Sequence, residues 1–257
     1  ESFFNYAIKG GLTVKVDGRN YVFFNPSPLT RAPLPENVFL SPQANNRTLP
    51  DVKSLSQIAA EAGYLLRSPR YKVRAIVYIT QTYDATDIKR FYHDDFRTFV
   101  NYAVSGIDTR NIGTELSFEA DLHKGFSARA VLAAGQNFYT SSQTGYITQD
   151  NLDSVLTSNV MIYSENLRVG GSPEKAGSLG LAYRSPKFWF VYITGNFFGD
   201  TYVMMNPVRR TAEAVDQLDE SSSTRAEILG QERLDNQFTL DISAGWSWKM
   251  NNTYKNM

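Results

Sequence analysis

The chain has 257 residues with 26 basic and 26 acidic side chains, so its net charge gives no indication of a nucleic-acid partner. It contains no cysteine, which excludes disulfides and thiolate metal sites. Aromatic residues reach 13%, and no apolar run is long enough for a membrane-spanning helix. A membrane β-barrel is compatible with these totals, because its alternating strands are only moderately apolar on average.

Apolar and polar residues alternate through much of the chain, which predicts β-strands with one apolar and one polar face. In chain order the clearest segments are 57–67, 72–80, 112–122 and 238–249, with Ile76 as an apolar exception on a polar face. They run for about ten residues, near the length that a tilted strand needs to cross a bilayer. Their apolar faces use alanine and aromatic residues, whereas a soluble sandwich core would be dense in leucine and isoleucine.

The connections between these strands alternate between short and long. Short turns are predicted at residues 17–19, 68–69, 123–125 and 185–186, and long connections at 25–53, 84–110, 140–174 and 199–236. Transmembrane barrels place short turns on the periplasmic side and long loops outside. The sequence therefore predicts an all-β fold, a partial antiparallel transmembrane β-barrel of about ten or eleven strands. Residues 1–257 are all assigned to that one domain.

Two of the short turns share the pattern Arg-Ser-Pro-basic-aromatic, beginning at Arg67 and at Arg184. Serine at the first turn position and proline at the second fit a type I turn, because the fixed φ of proline is already correct there. The aromatic residues that follow, Tyr71, Phe188 and Trp189, are typical of a membrane interface. We interpret the repeat as the rim of a barrel.

Five segments, taken in order, resemble the C-terminal half of the barrel in TonB-dependent outer-membrane receptors of the Bacteroidetes type. They are EAGYLLRSPRYKVRAIVYITQTYD (residues 61–84), FYHDDFRTFVNYAVSGID (91–108), NIGTELSFEA (111–120), VGGSPEKAGSLGLAYRSPKFWF (169–190) and NPVRRT (206–211). Each pattern alone has low specificity, and the resemblance depends on their order and spacing.

The resemblance implies a nutrient transporter in the outer membrane of a Gram-negative bacterium, with a barrel of about 22 strands and an N-terminal plug. It also implies that the TonB complex energises transport through a segment ahead of the plug. Neither the plug nor the final strands are recognised in this sequence, so we expect the chain to be part of a longer transporter. The implied partners are outer-membrane lipid, the TonB complex and a transported ligand, and the question of a surface lipoprotein stays open. Siderophore, vitamin, oligosaccharide and peptide transporters share this barrel, so the cargo also stays open.

The candidate ligand-binding residues lie in the predicted loops and are His93, Asp94, Asp95, Tyr139, Tyr146, Arg209 and Arg210. An imidazole beside two carboxylates could bind a divalent ion, but adjacent strand residues alternate faces, so no metal site is predicted. The tyrosines could stack on a sugar or an aromatic ligand. The arginine pair suits carboxylate or phosphate recognition, or a salt bridge between loops. Residues 211–234 are expected to be helical in part, with Thr224 and Glu227 spaced as a capping box.

Glu115, Glu119 and Asp121 share the polar face of the strand predicted over 112–122. Carboxylates could act as in a glycosidase only at a defined separation across a cleft, and in a barrel we expect them to pair with neighbouring basic residues such as Arg129. No nucleophile elbow, phosphate-binding loop or zinc-helix motif occurs, so neither enzyme activity nor a cofactor is predicted. Two alternatives stay open. One is a passive or structural outer-membrane barrel without TonB coupling, and the other is a soluble carbohydrate-active β protein with Glu115 and Glu119 as acids.

Overall fold

The computed structural model describes residues 2–42, 46–94, 96–150, 154–250 and 253–255. Its strands are β1 (Leu12–Lys15), β2 (Asn20–Arg31), β3 (Leu55–Arg67), β4 (Tyr71–His93), β5 (Thr98–Asp121), β6 (Phe126–Tyr139), β7 (Gln143–Gln149), β8 (Val155–Ile162), β9 (Pro173–Arg184), β10 (Trp189–Tyr202), β11 (Arg233–Leu234), β12 (Gln237–Trp246), β13 (Trp248–Met250) and β14 (Thr253–Lys255). The helices are α1 (Ala212–Val215) and α2 (Ser223–Leu229), with short 3-10 turns at Pro35–Asn37, His123–Gly125 and Pro207–Arg210. Within the described ranges, no helix is long and apolar enough to cross a membrane.

Twelve of the described strands form one sheet, and its paired strands are antiparallel. We call the strands that lie side by side the wall, and their order is β1, β2, β3, β4, β5, β6, β9, β10 and β12. β7 pairs with the outer part of β5, β8 pairs with β7, and β11 pairs with the end of β10. This continuous antiparallel order confirms the all-β fold predicted from the alternation.

The wall has an apolar face and a polar face, because cross-strand partners carry the alternation from each strand to the next. Ile79 pairs with Ile112, and Leu116 pairs with Leu132. Side chains on this face are open to the surroundings, and Val77 is 58% exposed. An apolar surface that extends over so many strands is stable against lipid and would be costly against water.

The polar face is the concave side of the wall. Two concavities of about 520 and 500 Å³ open on it. Ile76, the exception to the alternation, lies on this side and is buried. The apolar band ends, on the side away from the short turns, at a polar pair of residues. Gln81 Oε1 accepts a hydrogen bond of 2.8 Å from Arg110 Nε of the neighbouring strand. β4 and β5 continue past this polar pair, and therefore past the apolar band.

The two Arg-Ser-Pro turns differ by one residue. Arg67 pairs directly with Lys72, whereas Arg184 pairs with Phe190. The second turn contains the expected type I hydrogen bond, in which the N–H of Phe188 donates to Ser185 O at 3.1 Å. Phe188 then takes a left-handed conformation with a φ of 64°. This local conformation accommodates the additional residue within the turn.

The predicted long connection over residues 84–110 is wrong, because β4 runs to His93 and β5 begins at Thr98. The two strands stay paired through irregularities where Asp84 has a φ of 57° and Gly106 a φ of 65°. Such bulges shift the side chains from one face to the other, so the period of two is lost in the sequence. The long connection predicted over 140–174 likewise contains β7 and β8.

Two short helices occupy the segment that was expected to be helical in part. α2 begins at Ser223 after Ser222, so Thr224 lies inside the helix and the predicted capping box is wrong. The side chain that caps a helix here is Thr211, whose Oγ1 accepts a hydrogen bond from the N–H of Ala214 at the start of α1.

Val77→Arg tests the assignment of the apolar face to lipid. A charge near the middle of the lipid-facing band should destabilise the complete protein by about 2–4 kcal/mol. Denaturant titration of the protein refolded into lipid vesicles would measure the loss. Ala133→Arg, on the polar face and directly opposite Glu115, is the matched control and should cost much less. An equal loss for both variants would contradict the assignment of the faces.

Candidate functional site

The outer parts of β4 and β5 join β7 and β8 in a four-stranded extension of the wall, which we call the loop sheet. Leu40 and Leu49, from the connection between β2 and β3, pack on one of its faces against Ile88, Ala103 and Tyr146. The four aliphatic side chains of this cluster are buried. This part of the long connection predicted over residues 25–53 is thus packed onto the sheet.

The opposite face of the loop sheet is covered by the connection between β10 and β11. Val208 from the 3-10 turn packs there against a buried cluster of Val100, Tyr102, Val104, Ile147 and Ile162. Val215 of α1 is also fully buried. Burial, with a smaller contribution from the Glu213 carboxylate, raises the pKa of Tyr102 to about 12, so its phenol stays neutral at ordinary pH. The loop sheet is therefore the middle of three layers.

Arg90 fastens the connection between β2 and β3 to the loop sheet. Its Nε donates to Leu40 O at 3.1 Å and its Nη2 donates to Phe39 O at 3.0 Å. Ser41 Oγ adds a hydrogen bond of 2.9 Å to Asp150 Oδ1. The bonds from Arg90 provide donors for two backbone carbonyls, and the partly buried carbonyl of Leu40 would be costly to leave without one.

Gln231 joins the connections that follow β8 and β10. Its Oε1 accepts a hydrogen bond of 2.8 Å from the N–H of Arg168, and its Nε2 donates to Arg168 O at 2.7 Å and to Val203 O at 3.0 Å. The Arg168 guanidinium also forms an ion pair of 3.5 Å with Glu174 at the start of β9. A single side-chain amide therefore links three backbone segments, and the loops at this end form one connected unit.

The three neighbouring candidates at the end of β4 differ in their surroundings. His93 is buried, and its ring lies 4.8 Å from the ring of Phe96 and 6.0 Å from that of Phe91, measured between centroids. Asp94 is exposed, and Asp95 lies outside the described residues. Over the described residues, no group of three or more His, Cys, Asp or Glu side chains is placed to hold a metal ion.

The two candidate tyrosines take part in the packing of the loops. Tyr146 lies in the cluster under the connection between β2 and β3, where its hydroxyl accepts a hydrogen bond of 3.2 Å from Arg47 Nη2. Tyr139 ends β6, and its backbone N–H donates to Leu167 O at 2.9 Å. Each tyrosine therefore stabilises a different connection.

The arginine pair is divided between solvent and protein. Arg209 is exposed, whereas Arg210 is buried and its Nη1 donates to Leu229 O at 3.0 Å. Arg210 Nη2 donates to Gly230 O, so the guanidinium binds the carbonyls at the C-terminal end of α2. The candidates from the sequence therefore belong to several separate contacts.

The acidic residues of β5 are placed on the polar face, as predicted. Glu119 lies between two cations, at 3.0 Å from Arg129 Nη2 and 3.4 Å from Lys72 Nζ. This confirms the predicted pairing of Glu119 with Arg129. The ion pairs lie in the concavity of about 520 Å³ near the turn end of the wall.

A second group of polar residues lies halfway along the wall, in one row that crosses five strands. The directly paired residues are Asn25, Glu61, Tyr78, Gly113 and Gly135. Asn25 Nδ2 donates to Glu61 Oε1 at 2.8 Å, and the first three members line the concavity of about 500 Å³. This row was not predicted, because it depends on the register between strands. The available signal was the glycine on the polar face of two successive strands.

No protein-family model matches the chain, and no curated protein matches it. Solved structures do match. The chain is similar to the copper transporter OprC with a TM-score of 0.61 and 10% identity over 92% of its length. It is similar to the siderophore receptor PirA of Acinetobacter baumannii with a TM-score of 0.58 and 11% identity over 95%. It is similar to the ferric-catecholate import receptor Fiu of E. coli K12 with a TM-score of 0.54 and 17% identity over 93% of its length.

These likenesses confirm the predicted fold class, a partial antiparallel β-barrel. The chain covers 30% of OprC, 35% of PirA and 28% of Fiu, so it spans about a third of the proteins that it resembles.

Leu40→Ala should loosen the connection between β2 and β3. Leu40 is 1% exposed, and truncating a buried leucine typically costs about 2–5 kcal/mol through lost contacts and the cavity left behind. Leu34→Ala, in the same connection but at a residue 45% exposed, is the matched control. Hydrogen exchange of the segment would rise in the first variant and stay unchanged in the second. Equal exchange in both would contradict the packing of this loop.

Arg210→Ala and Arg209→Ala separate a structural arginine from an exposed one. Loss of Arg210 leaves the carbonyls of Leu229 and Gly230 without their donor, at a cost of about 1–3 kcal/mol. Protease cleavage within residues 223–232 should therefore accelerate in Arg210→Ala alone. Faster cleavage in Arg209→Ala as well would mean that the two arginines act together.

Proposed function

We propose that the chain forms part of the barrel wall of a TonB-dependent nutrient transporter of the Bacteroidetes type, in the outer membrane of a Gram-negative bacterium. The observation that carries this proposal is the wall itself, one antiparallel sheet with an exposed apolar face and a concave polar face. The likeness to OprC, PirA and Fiu supports it at the level of the fold.

In this function the connections beyond the apolar band capture the ligand, and the polar face lines the path that the ligand takes. A plug inside the complete barrel closes the path until the TonB complex rearranges it. Outer-membrane lipid covers the apolar face, and a surface lipoprotein over the loops completes the proposed set of partners. The wall itself makes and breaks no bonds in the ligand.

The candidate residues divide into those that suit contact with a ligand and those that hold the loops in position. Asp94 and Arg209 are exposed and suit the first contact with a ligand, and Asp95 belongs to the same proposed contact as its neighbour. Tyr139 lies nearest to the wall, at the end of β6. The buried residues His93 and Arg210 act by keeping the loops in position, and the partly buried Tyr146 acts with them.

A passive outer-membrane barrel without TonB coupling is the second candidate. The same two faces favour it, because any outer-membrane barrel needs an apolar exterior and a polar interior. The two functions differ in their need for energy. Import driven by the TonB complex stops when the proton-motive force collapses, whereas diffusion through an open pore continues.

Nutrient uptake by cells with and without the complete protein tests this proposal. We expect uptake that depends on the protein to fall to the level of cells lacking it when TonB is deleted or a protonophore is added. Uptake that persists under both treatments would establish the passive barrel instead. Absence of the protein from purified outer membranes would contradict both functions.

A further inference from the structure

The side chain of Tyr78, on β4, lies along the polar face of the wall and reaches across β5 toward β6. A Cβ atom added to Gly113 would lie 2.6 Å from the Tyr78 hydroxyl oxygen and 2.8 Å from its Cζ. A Cβ atom on Gly135, one strand further, would lie 3.1 Å from the same oxygen. Any other residue at Gly113 would therefore push the ring away from the wall. The two glycines provide the space in which the ring can lie.

Hydrogen-bonding side chains surround this ring. Glu61 is the direct cross-strand partner of Tyr78, and the amide of Asn25 orients its carboxylate through the hydrogen bond of 2.8 Å. The other polar residues that line the same concavity are Ser27, Arg74, Thr80, Asn111 and Glu115. Its volume of about 500 Å³ falls within the usual range of small-molecule sites.

The hydrogen-bonding capacities of these groups match a ligand rich in hydroxyl groups. Carboxylates only accept hydrogen bonds, a guanidinium only donates them, and amides do both. A hydroxyl group donates and accepts, so it can bond to each of the three. The tyrosine ring adds an apolar surface, and a sugar ring presents one face made of C–H groups and an edge made of hydroxyls.

We propose that this part of the wall is a subsite for a neutral polyhydroxylated ring, such as one residue of an oligosaccharide. Tyr78 packs against the C–H face of the ring, and Glu61, Asn111 and Glu115 bond to its hydroxyls. Arg74 donates to a further hydroxyl or to the ring oxygen. The inference rests on the proposed transport function, and it places a ligand contact on the path through the barrel.

An anion fits this group poorly, because Glu61 and Glu115 outnumber Arg74 and leave the group with a net negative charge. A neutral ligand avoids that repulsion and can still bond to the carboxylates, the guanidinium and the amides. The concavity near the turn end differs in this respect, because Arg70, Lys72, Arg129 and Arg184 outnumber Glu119 and Asp121 there.

Saturation-transfer NMR on the complete protein in detergent tests the subsite. The probes are neutral oligosaccharides built from glucose, galactose or mannose, with spermidine and citrate as cationic and anionic comparisons. We expect transfer to the C–H protons of at least one sugar and none to citrate, and spermidine tests whether the site takes a cation instead. Transfer to a charged probe alone, or to no probe, would overturn the proposal.

Three variants separate the subsite from general effects on the barrel. Tyr78→Ala should weaken sugar binding by about three- to tenfold, because the ring contact is lost, whereas Tyr78→Phe should retain most of it. Tyr192→Ala removes a tyrosine of the same face near the turn end and is the matched control. Equal weakening by Tyr78→Ala and Tyr192→Ala would overturn the assignment of the site to Tyr78.

Uptake measurements keep this inference distinct from the proposed function. TonB-dependent uptake of a nutrient that is not a sugar, together with no sugar binding, would overturn the subsite and leave the transport function intact. Sugar binding that needs Tyr78, in a protein whose uptake does not depend on TonB, would support the subsite and overturn the TonB-dependent function.

Discussion

The structure depends on one continuous ladder of cross-strand pairs. In this ladder each strand of the wall determines which side chains of the next strand lie on the same face. Because side chains alternate along a strand, the register between neighbours decides which residues form a common surface. A shift of one residue anywhere would mix the apolar face with the polar face. The pairing of Ile79 with Ile112 and that of Glu61 with Tyr78 are products of the same ladder. The lipid-facing surface and the candidate subsite are therefore specified together.

Beyond the apolar band the stabilising forces change. The wall relies on hydrogen bonds and on lipid around its apolar face, whereas the loop sheet is stabilised as a small soluble domain would be, with aliphatic side chains buried on both faces. Polar groups such as Arg90 and Gln231 then attach the covering connections. The loop region is accordingly an ordered surface, and exposed residues such as Arg209 stand on a fixed support.

The sequence was most informative where one physical rule acted alone. Alternation with a period of two predicted the strands of the wall and its apolar face, and short polar turns predicted one end of the barrel. The same rule did not reveal the outer part of β4 and β5, because bulges at Asp84 and Gly106 and burial of both faces removed the alternation. The pairing of Glu119 with Arg129 could be predicted, since both lie on polar faces of successive strands. The row around Tyr78 could not, because it requires the register of five strands at once.

The extra residue in the second Arg-Ser-Pro turn has a consequence for how such a barrel can change. Phe188 accommodates it by a local left-handed backbone, and β9 and β10 stay in step on either side. The length of a turn is thus uncoupled from the stagger of the strands that it joins. Insertions and deletions at this rim can accumulate without moving any residue of the wall from one face to the other, so the interior surface can be inherited intact while the rim diverges.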